Sequence, residues 1–439
     1  MADRAALGAA MHHLAGELFP IARSLTGPGY RETLEVLERV AGPMRRHRFA
    51  SGERVLDWEV PPEWTIRDAW IKAPDGSTVL SLAASNLHVV GYSVPVHRRL
   101  ALAELQRHLH SLPEQPTAIP YRTSYYAESW GFCMRDDERR ALPEGEYEVL
   151  IDAHLEPGAI ELGEVVVEGS GDGEVLLWTY CCHPSLANNE LSGPVVAAQL
   201  AALLDARERP RLTYRIVFAP ETIGAIAYLS RFGERLQQRL LAGYVLTCCG
   251  DPGAFTYKRS RRGDSLADRV AEHVLACGGD PHLVLDFEPV GSDERQFCSP
   301  GYDLPVGSLM RTMYGTYPEY HTSLDDLSLI TPDALAGTLD AYLRIVDALE
   351  ANETLVGTVL YGEPQLGRRG LYPSTGGPSA ALSAGRQRDM MLLLSFCDGR
   401  ADLLAAAQRS GRPLAELAKT AALLREHDLL RPVTPAERA

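Results

Sequence analysis

The sequence lacks the features that would place the protein in a membrane. No stretch approaches an uninterrupted apolar run of membrane length, and the amino terminus, Met-Ala-Asp-Arg-Ala-Ala-Leu-Gly, lacks a cleavable hydrophobic signal. These absences predict a cytoplasmic protein with no membrane partner. With 439 residues, 45% of them hydrophobic, the chain is long enough for two or three domains with a substantial core.

Positive charge is also scarce. Lys and Arg total 43 against 58 Asp and Glu, which gives a net charge of -15. Such a surface repels phosphate, so the composition argues against nucleic acid as a partner and weakly favours a cationic or small neutral substrate. We expect the partner to be a small molecule or a peptide.

The eight cysteines show no Cys-x-x-Cys spacing, so neither a typical zinc-thiolate site nor a disulfide framework is indicated. Eight cysteines in a chain that lacks a secretory leader indicate a reducing compartment. Two pairs, Cys181 with Cys182 and Cys248 with Cys249, nevertheless follow predicted strands. They remain an alternative set of metal donors.

The most informative motif surrounds His183. A predicted buried strand, residues 174–180, leads into His183 and a polar loop, and a helix rich in Ala, Val and Leu is predicted over 193–204. In open α/β sheets such strand-to-helix crevices bind ligands, and His183 is placed there as a metal ligand would be. The alternative is a structural histidine.

Two further motifs follow. His321 stands between Tyr320 and a polar run in which Asp325 or Asp326 is expected to accept a hydrogen bond from the imidazole, although these residues also suit a helix cap. Glu221 follows Pro220 at the end of an apolar strand predicted over 211–218. A carboxylate there, beside two candidate metal histidines, is what a water-activating general base requires.

The alternation of strands and helices over 153–350 predicts an α/β fold, with a mixed, mostly parallel sheet and helices on both faces. Residues 1–47, largely helical, are assigned to the same catalytic domain, and 48–152 to a β-rich insertion. Residues 351–385 are predicted to be a linker. Residues 386–439 resemble a winged helix and contain nine Lys and Arg against seven Asp and Glu. A net charge of only +2 favours a packing or dimer module, compatible with a homo-oligomer, over the alternative of DNA binding.

In this order the motifs resemble the zinc aminopeptidases, which share a fold with zinc carboxypeptidases and glutaminyl cyclases. The chain is most similar to a bacterial aminopeptidase-like group of unassigned function, with a β insertion and a carboxyl-terminal winged helix. Arg23-Ser-Leu-Thr-Gly-Pro-Gly-Tyr, the segment 58–68 and Ser85-Asn-Leu-His-Val-Val-Gly-Tyr carry the closer resemblance. It implies an aminopeptidase-like fold over most of the chain.

The chain departs from the two-zinc pattern that the resemblance implies. The bridging Asp falls on Asn189, the general base on Glu221, the next ligand Glu on Thr222, and a further ligand carboxylate near Thr247. We therefore predict one zinc ion rather than two, held by His183, Glu190 and His321, with Glu221 as base. A zinc ion in a catalytic site typically takes three protein ligands and water. Glu221 and the pair Asp293 and Glu294 are the alternatives to Glu190 as third ligand.

The predicted function is metal-dependent hydrolysis of an amide or peptide bond, and the alternative is a non-catalytic binding or regulatory protein on a degraded peptidase scaffold. Arginine side chains near the site suit a substrate carboxylate or phosphate. The predicted substrate-binding residues are Asn189, Asp293, Glu294, Arg295, Arg261 and Tyr320. Aromatic residues of the insertion, Tyr125, Tyr126 and Trp130, are weaker candidates, because such rings more often form a core.

Overall fold

The computed structural model describes residues 3–371 and 378–433. The chain forms two compact units, the first made of Met1–Asp268 with Pro281–Asp340 and the second of Arg269–Asp280 with Ala341–Ala439. Within the described ranges, no helix has both the length and the apolar character needed to cross a bilayer.

An eight-stranded mixed sheet forms the centre of the first unit. Its strands lie in the order Arg45–Ala50, Ala159–Val167, Thr213–Ala219, Glu174–Tyr180, Leu240–Leu246, Val306–Met310, Phe255–Lys258 and His282–Leu285. The third to sixth strands in this order are parallel to one another, and Tyr180 pairs with Ala219 at their carboxyl ends. The loops that follow these four strands therefore leave the sheet at the same edge.

Helices cover this sheet, as the predicted fold class requires. The helix Ser192–Asp205 packs against the two amino-terminal helices, while Ile223–Arg239 packs with the short helix Glu294–Phe297. The remaining helices that begin in the first unit are Leu102–Leu105, Asp136–Arg140, Leu266–Gly278 and Pro332–Ala351, and the amino-terminal pair is Arg4–Leu18 and Pro28–Ala41. The fold is mixed α/β with a mostly parallel sheet, as the alternating pattern predicts.

The predicted β-rich section contains a second, four-stranded sheet. Its strands are Thr78–Ser81, Glu63–Lys72, Glu146–Glu156 and Val96–Ala101, in spatial order, and all pairs are antiparallel. Two short pairs accompany it, Arg54–Val55 with Trp58–Glu59 and Leu109–His110 with Phe132–Cys133. The limits 48–152 of this insertion stay a prediction.

The second unit contains a small antiparallel sheet and three helices. The strands lie in the order Asp398–Asp402, Thr354–Gly357 and Leu430–Pro432, and the helices are Pro378–Phe396, Leu403–Ser410 and Leu414–Glu426. The middle strand and the start of the first helix fall inside the predicted linker 351–385. Four residues are too few to show a strand periodicity, which is why the sequence indicated a linker there.

Gly193 brings the helix Ser192–Asp205 close to the sheet. A Cβ atom at Gly193 would clash with the carbonyl oxygen of Leu246 and lie 2.7 Å from the hydroxyl of Thr179. The helix start, and with it the preceding loop that carries His183, is therefore held against the strand Leu240–Leu246. Only glycine permits this approach.

We expect Gly193→Ala to destabilise the protein by about 1–3 kcal/mol, because the neighbours are backbone and a buried side chain that must shift. Gly301→Ala is the matched control, since nothing lies within 4 Å of its Cβ position. Urea unfolding of both variants measures the difference. Equal stabilities would contradict the close approach.

Candidate metal and active site

The loop after the strand Glu174–Tyr180 places a carboxylate on His183. Oε1 of Glu190 contacts Nδ1 of His183, while Oε2 accepts backbone N–H groups from Cys182 at 2.8 Å and His183 at 3.0 Å. Glu190 lies in a π-helical turn, Ala187–Leu191, and its side chain is fully buried. Oε2 is therefore held by the backbone, whereas Oε1 faces the His183 ring. Although burial acts to raise the pKa of Glu190, the charge and hydrogen bonds of His183 lower it overall.

His321 meets His183 as predicted. The two ring centroids are 5.3 Å apart, with an angle of 41° between the planes. His321 has a left-handed backbone, with φ of 56°, and Tyr320 stacks on its ring at 3.9 Å. Burial, and then the nearby His183, lowers the pKa of His321 to about 3. The imidazole is thus neutral near pH 7, which is the form that binds a metal.

Tyr121 covers both imidazoles from the β-rich section. Its ring makes edge contacts with His183 at 4.5 Å and His321 at 5.2 Å, and its backbone N–H donates to the His321 carbonyl at 2.8 Å. Its hydroxyl shares a hydrogen bond of 2.8 Å with that of Tyr125. The insertion therefore forms one wall of the site.

Glu221 is presented by a strained turn. Thr222 has φ of 63° and ψ of -75°, and the N–H of Ile223 donates to the Glu221 carbonyl at 2.7 Å, which is the geometry of a γ-turn. Oε2 of Glu221 lies 3.8 Å from Nε2 of His183, and its side chain is 20% exposed. Burial, and then the nearby Asp293 and Glu190, raises the pKa of Glu221.

Asp293 and Arg295 hold this turn. Asp293 is buried, and its carboxylate accepts the Trp178 indole N–H and the Thr222 backbone N–H, both at 2.7 Å. Arg295 donates to the Thr222 hydroxyl at 3.1 Å. Both carboxylate oxygens of Asp293 are thus used to position the turn that carries Glu221, and its substrate-binding role stays a prediction.

The donors in the site suit a zinc ion. One ligand atom each of Cys182, His183 and Glu190 lie within 4.8 Å of one another, so the thiol of Cys182 joins two of the predicted donors in a group that does not include His321. The Oδ1 atom of Asn189, the residue before Glu190, is buried and has no hydrogen-bond partner. An unpartnered buried oxygen in this turn, together with imidazole and carboxylate donors, fits a bound cation.

Four other predicted site residues have hydrogen-bond or ion-pair partners elsewhere in the protein, and they are Glu294, Arg261, Asp325 and Asp326. Glu294 is buried, where its carboxylate accepts from Lys258 at 2.8 Å, Ser308 at 2.9 Å and Tyr314 at 3.0 Å. A carboxylate with three partners in the core cannot reach a substrate. Arg261 instead forms a surface ion pair with Asp303 at 2.9 Å.

The two acidic residues after His321 act on the backbone. The Asp325 carboxylate accepts N–H groups of Asn188 at 2.6 Å and Asn189 at 3.0 Å. It therefore caps the turn that contains Glu190 and does not orient the His321 ring. Asp326 accepts from the backbone and hydroxyl of Ser328 in a local turn. The capping alternative fits Asp325, which accepts N–H groups of the π-helical turn, whereas Asp326 forms a local turn with Ser328.

Comparison with known families identifies the chain. Residues 12–352 match the model of a family described as a domain of unknown function (DUF4910). The chain belongs to this family. Residues 353–432 match a winged helix-turn-helix model. The resemblance to an aminopeptidase-like group of unassigned function with a carboxyl-terminal winged helix is therefore confirmed.

Relatives agree with this assignment. A Clostridium acetobutylicum protein is 42% identical over 424 residues, which are 97% of this chain and 96% of that protein. Its name describes a polysaccharide biosynthesis protein with an aminopeptidase-like domain. A crystal structure of a protein from that organism, described by name only as a peptidase, has a TM-score of 0.91 at 40% identity and covers 98% of this chain and 97% of that chain.

A zinc aminopeptidase from Bacillus subtilis has a TM-score of 0.55 at 13% identity, over 77% of this chain and 94% of that chain. At this identity the similarity concerns the fold alone. The chain therefore has an aminopeptidase-like fold over 77% of its length, and the chemistry of the site rests on its own residues.

Stability measurements can distinguish the buried carboxylate of Glu294 from the exposed guanidinium of Arg261. We expect Glu294→Gln to destabilise the protein by about 3–5 kcal/mol, because it leaves the Lys258 ammonium buried without its partner. Arg261→Gln breaks an exposed pair and should cost less than about 1 kcal/mol. Denaturant unfolding compares the two. A Glu294→Gln variant as stable as Arg261→Gln would contradict the structural role of Glu294.

Proposed function

We propose that the protein is a zinc-dependent hydrolase that cleaves an amide or peptide bond. The observation that carries the proposal is the meeting of His183, His321 and Glu221 at the carboxyl ends of the parallel strands. The aminopeptidase-like fold supports the same reaction class, and so does the name of the Clostridium acetobutylicum relative. The substrate is a small molecule or a peptide with a hydrolysable amide.

His183, Glu190 and His321 would hold one zinc ion. A second ion is disfavoured, because Asn189, Thr222 and Thr247 offer neutral oxygens where the two-zinc pattern needs carboxylates. The Thr247 hydroxyl also donates to the Asn189 carbonyl at 3.1 Å, so it is already used. When bound, zinc supplies a Lewis acid that polarises a carbonyl and acidifies a water molecule.

Glu221 is the general base in this proposal. It is the partly exposed carboxylate beside His183, whereas Glu190 is fully buried. Its raised pKa brings proton affinity toward the operating pH, where a base is most effective. Glu221 accepts a proton from the attacking water and passes it to the leaving amine. Asn189, Arg295 and Tyr320 border the same site and remain proposed substrate contacts.

Metal content separates the proposed ligands. We expect about one zinc per chain in the wild type, a loss of zinc in His183→Ala and His321→Ala, and retention in Cys182→Ser, because the proposed donors are imidazoles and a carboxylate. Inductively coupled plasma mass spectrometry on the purified proteins measures this. Wild-type protein free of metal would favour the binding-protein alternative, and zinc lost only in Cys182→Ser would assign the ion to the thiol.

A separate variant tests the base. Glu221→Gln should keep its zinc and lose about 10²–10⁴-fold in amide hydrolysis, the usual contribution of a positioned base. A panel of aminoacyl 4-nitroanilides serves as substrate. The Arg261→Gln protein is the control for purification and assay. Full activity in Glu221→Gln with zinc bound would remove Glu221 from this role.

A further inference from the structure

Arg23 is a buried cation without a carboxylate partner. It is 2% exposed, its Nε donates to the carbonyl of His183 at 3.1 Å, and its Nη1 donates to the carbonyl of Leu18. Its Nη2 is buried and has no hydrogen-bond partner. Within residues 3–371 and 378–433, no ion pair reaches this guanidinium.

Such an arrangement is costly unless something else supplies the negative charge. A buried charge needs a paired counter-charge or a bound ion, and an unmade hydrogen bond to a charged group adds to the cost. The nearest carboxylate of the site, Glu190, already contacts His183 and two backbone N–H groups. Two carbonyl oxygens carry only partial charges and do not neutralise a guanidinium.

Arg23 also lines a cavity beside the site. The cavity has a volume of about 20 Å³, and its walls include Arg23, Ser24, Trp64, Asn86, Tyr121 and Cys182. Since roughly 10–15 Å³ holds one water molecule, this space admits a group only slightly larger. A halide ion or the end of one carboxylate fits that limit, and a phosphate does not.

We propose that Arg23 and this cavity form a binding site for a small monovalent anion. Tyr121 contacts His183 and lines the same cavity. The anion therefore lies next to the proposed metal ligands but does not itself bind the metal. The anion is either a halide from solution or a single carboxylate of the substrate. The second source rests on the proposed hydrolase function, whereas the first is independent of it.

A bound water is the competing occupant. The Oδ1 atom of Asn86 is buried without a partner, and Asn86 lines the same cavity. A water that bridges Arg23 Nη2 to this oxygen would satisfy both groups and leave the protein indifferent to the anion. The charge of Arg23 favours the anion over a neutral water, because Glu190 attracts the guanidinium only through space and does not hydrogen-bond to it.

Crystals of the wild-type full-length protein in sodium bromide test the site directly. We expect an anomalous bromide peak within hydrogen-bond distance of Arg23 Nη2. Density at that position without anomalous signal would identify water and overturn the proposal. This experiment needs no variant and no substrate.

Thermal unfolding in solution gives an independent readout. At constant ionic strength, replacing sodium methanesulfonate, whose tetrahedral head is as large as the excluded phosphate, by sodium chloride should raise the wild-type melting temperature saturably, by about 2 °C or more. Arg23→Met, which removes the charge, should lose this rise, and Arg23→Lys, which keeps the charge but not the Nη2 donor, should show a weaker one. Arg31→Met, in which a half-exposed arginine paired with Glu63 is changed, should keep it. No saturable rise in the wild type, or an unchanged rise in folded Arg23→Met, would overturn the proposal.

The source of the anion is distinguished by competition. If the site takes a substrate carboxylate, sodium acetate should produce the same saturable rise and remove the chloride effect. If it takes a halide only, acetate should leave the chloride effect intact. The His321→Ala protein, repeated through the same titration, should retain the rise even if it has lost zinc. Loss of zinc binding and loss of anion binding are thus separate results.

Discussion

The parallel alignment of four central strands is the constraint on which the site depends. Because Glu174–Tyr180, Thr213–Ala219, Leu240–Leu246 and Val306–Met310 run in one direction, the loops after them leave the sheet at a common edge. That edge collects His183, Glu221 and His321 from distant parts of the chain. The close approach at Gly193 then fixes the first of these loops against the sheet.

The hydrogen-bond partners of each carboxylate show whether it positions other groups of the site or is free to react. Both oxygens of Asp293 and of Asp325 are used by N–H groups, and Glu294 is paired with Lys258. Glu221 is different, because its carboxylate is partly exposed and faces His183. Glu221 reaches this position through a strained γ-turn at Thr222, which Asp293 stabilises. This distribution of partners supports the proposal that Glu221 and the two imidazoles form the chemical centre.

The sequence predicted the features that leave a local pattern, which are the strands and the polar residues that follow them. The buried apolar run of Glu174–Tyr180 marked its strand, the ends of strands marked His183 and Glu221, and the aromatic and acidic neighbours of His321 marked that residue. The roles of Asp293, Glu294 and Asp325 were not predictable, because a carboxylate's partners come from other elements and leave no local pattern. Tyr121 was missed for the same reason, since neighbouring Tyr125, Tyr126 and Trp130 looked equivalent in sequence. Arg23 lay in a segment noted only for its resemblance to the family, and its burial is visible only in three dimensions.

Anomalous diffraction at the zinc absorption edge can show whether His183 and His321 bind the same ion. Crystals of the purified protein, grown without added metal, are measured above and below the edge. We expect one zinc peak per chain with imidazole nitrogens of both His183 and His321 within about 2.0–2.1 Å, the usual zinc to histidine distance. A zinc-free site, or a peak coordinated by Cys182, His183 and Glu190 without His321, would show that the two imidazoles do not share an ion.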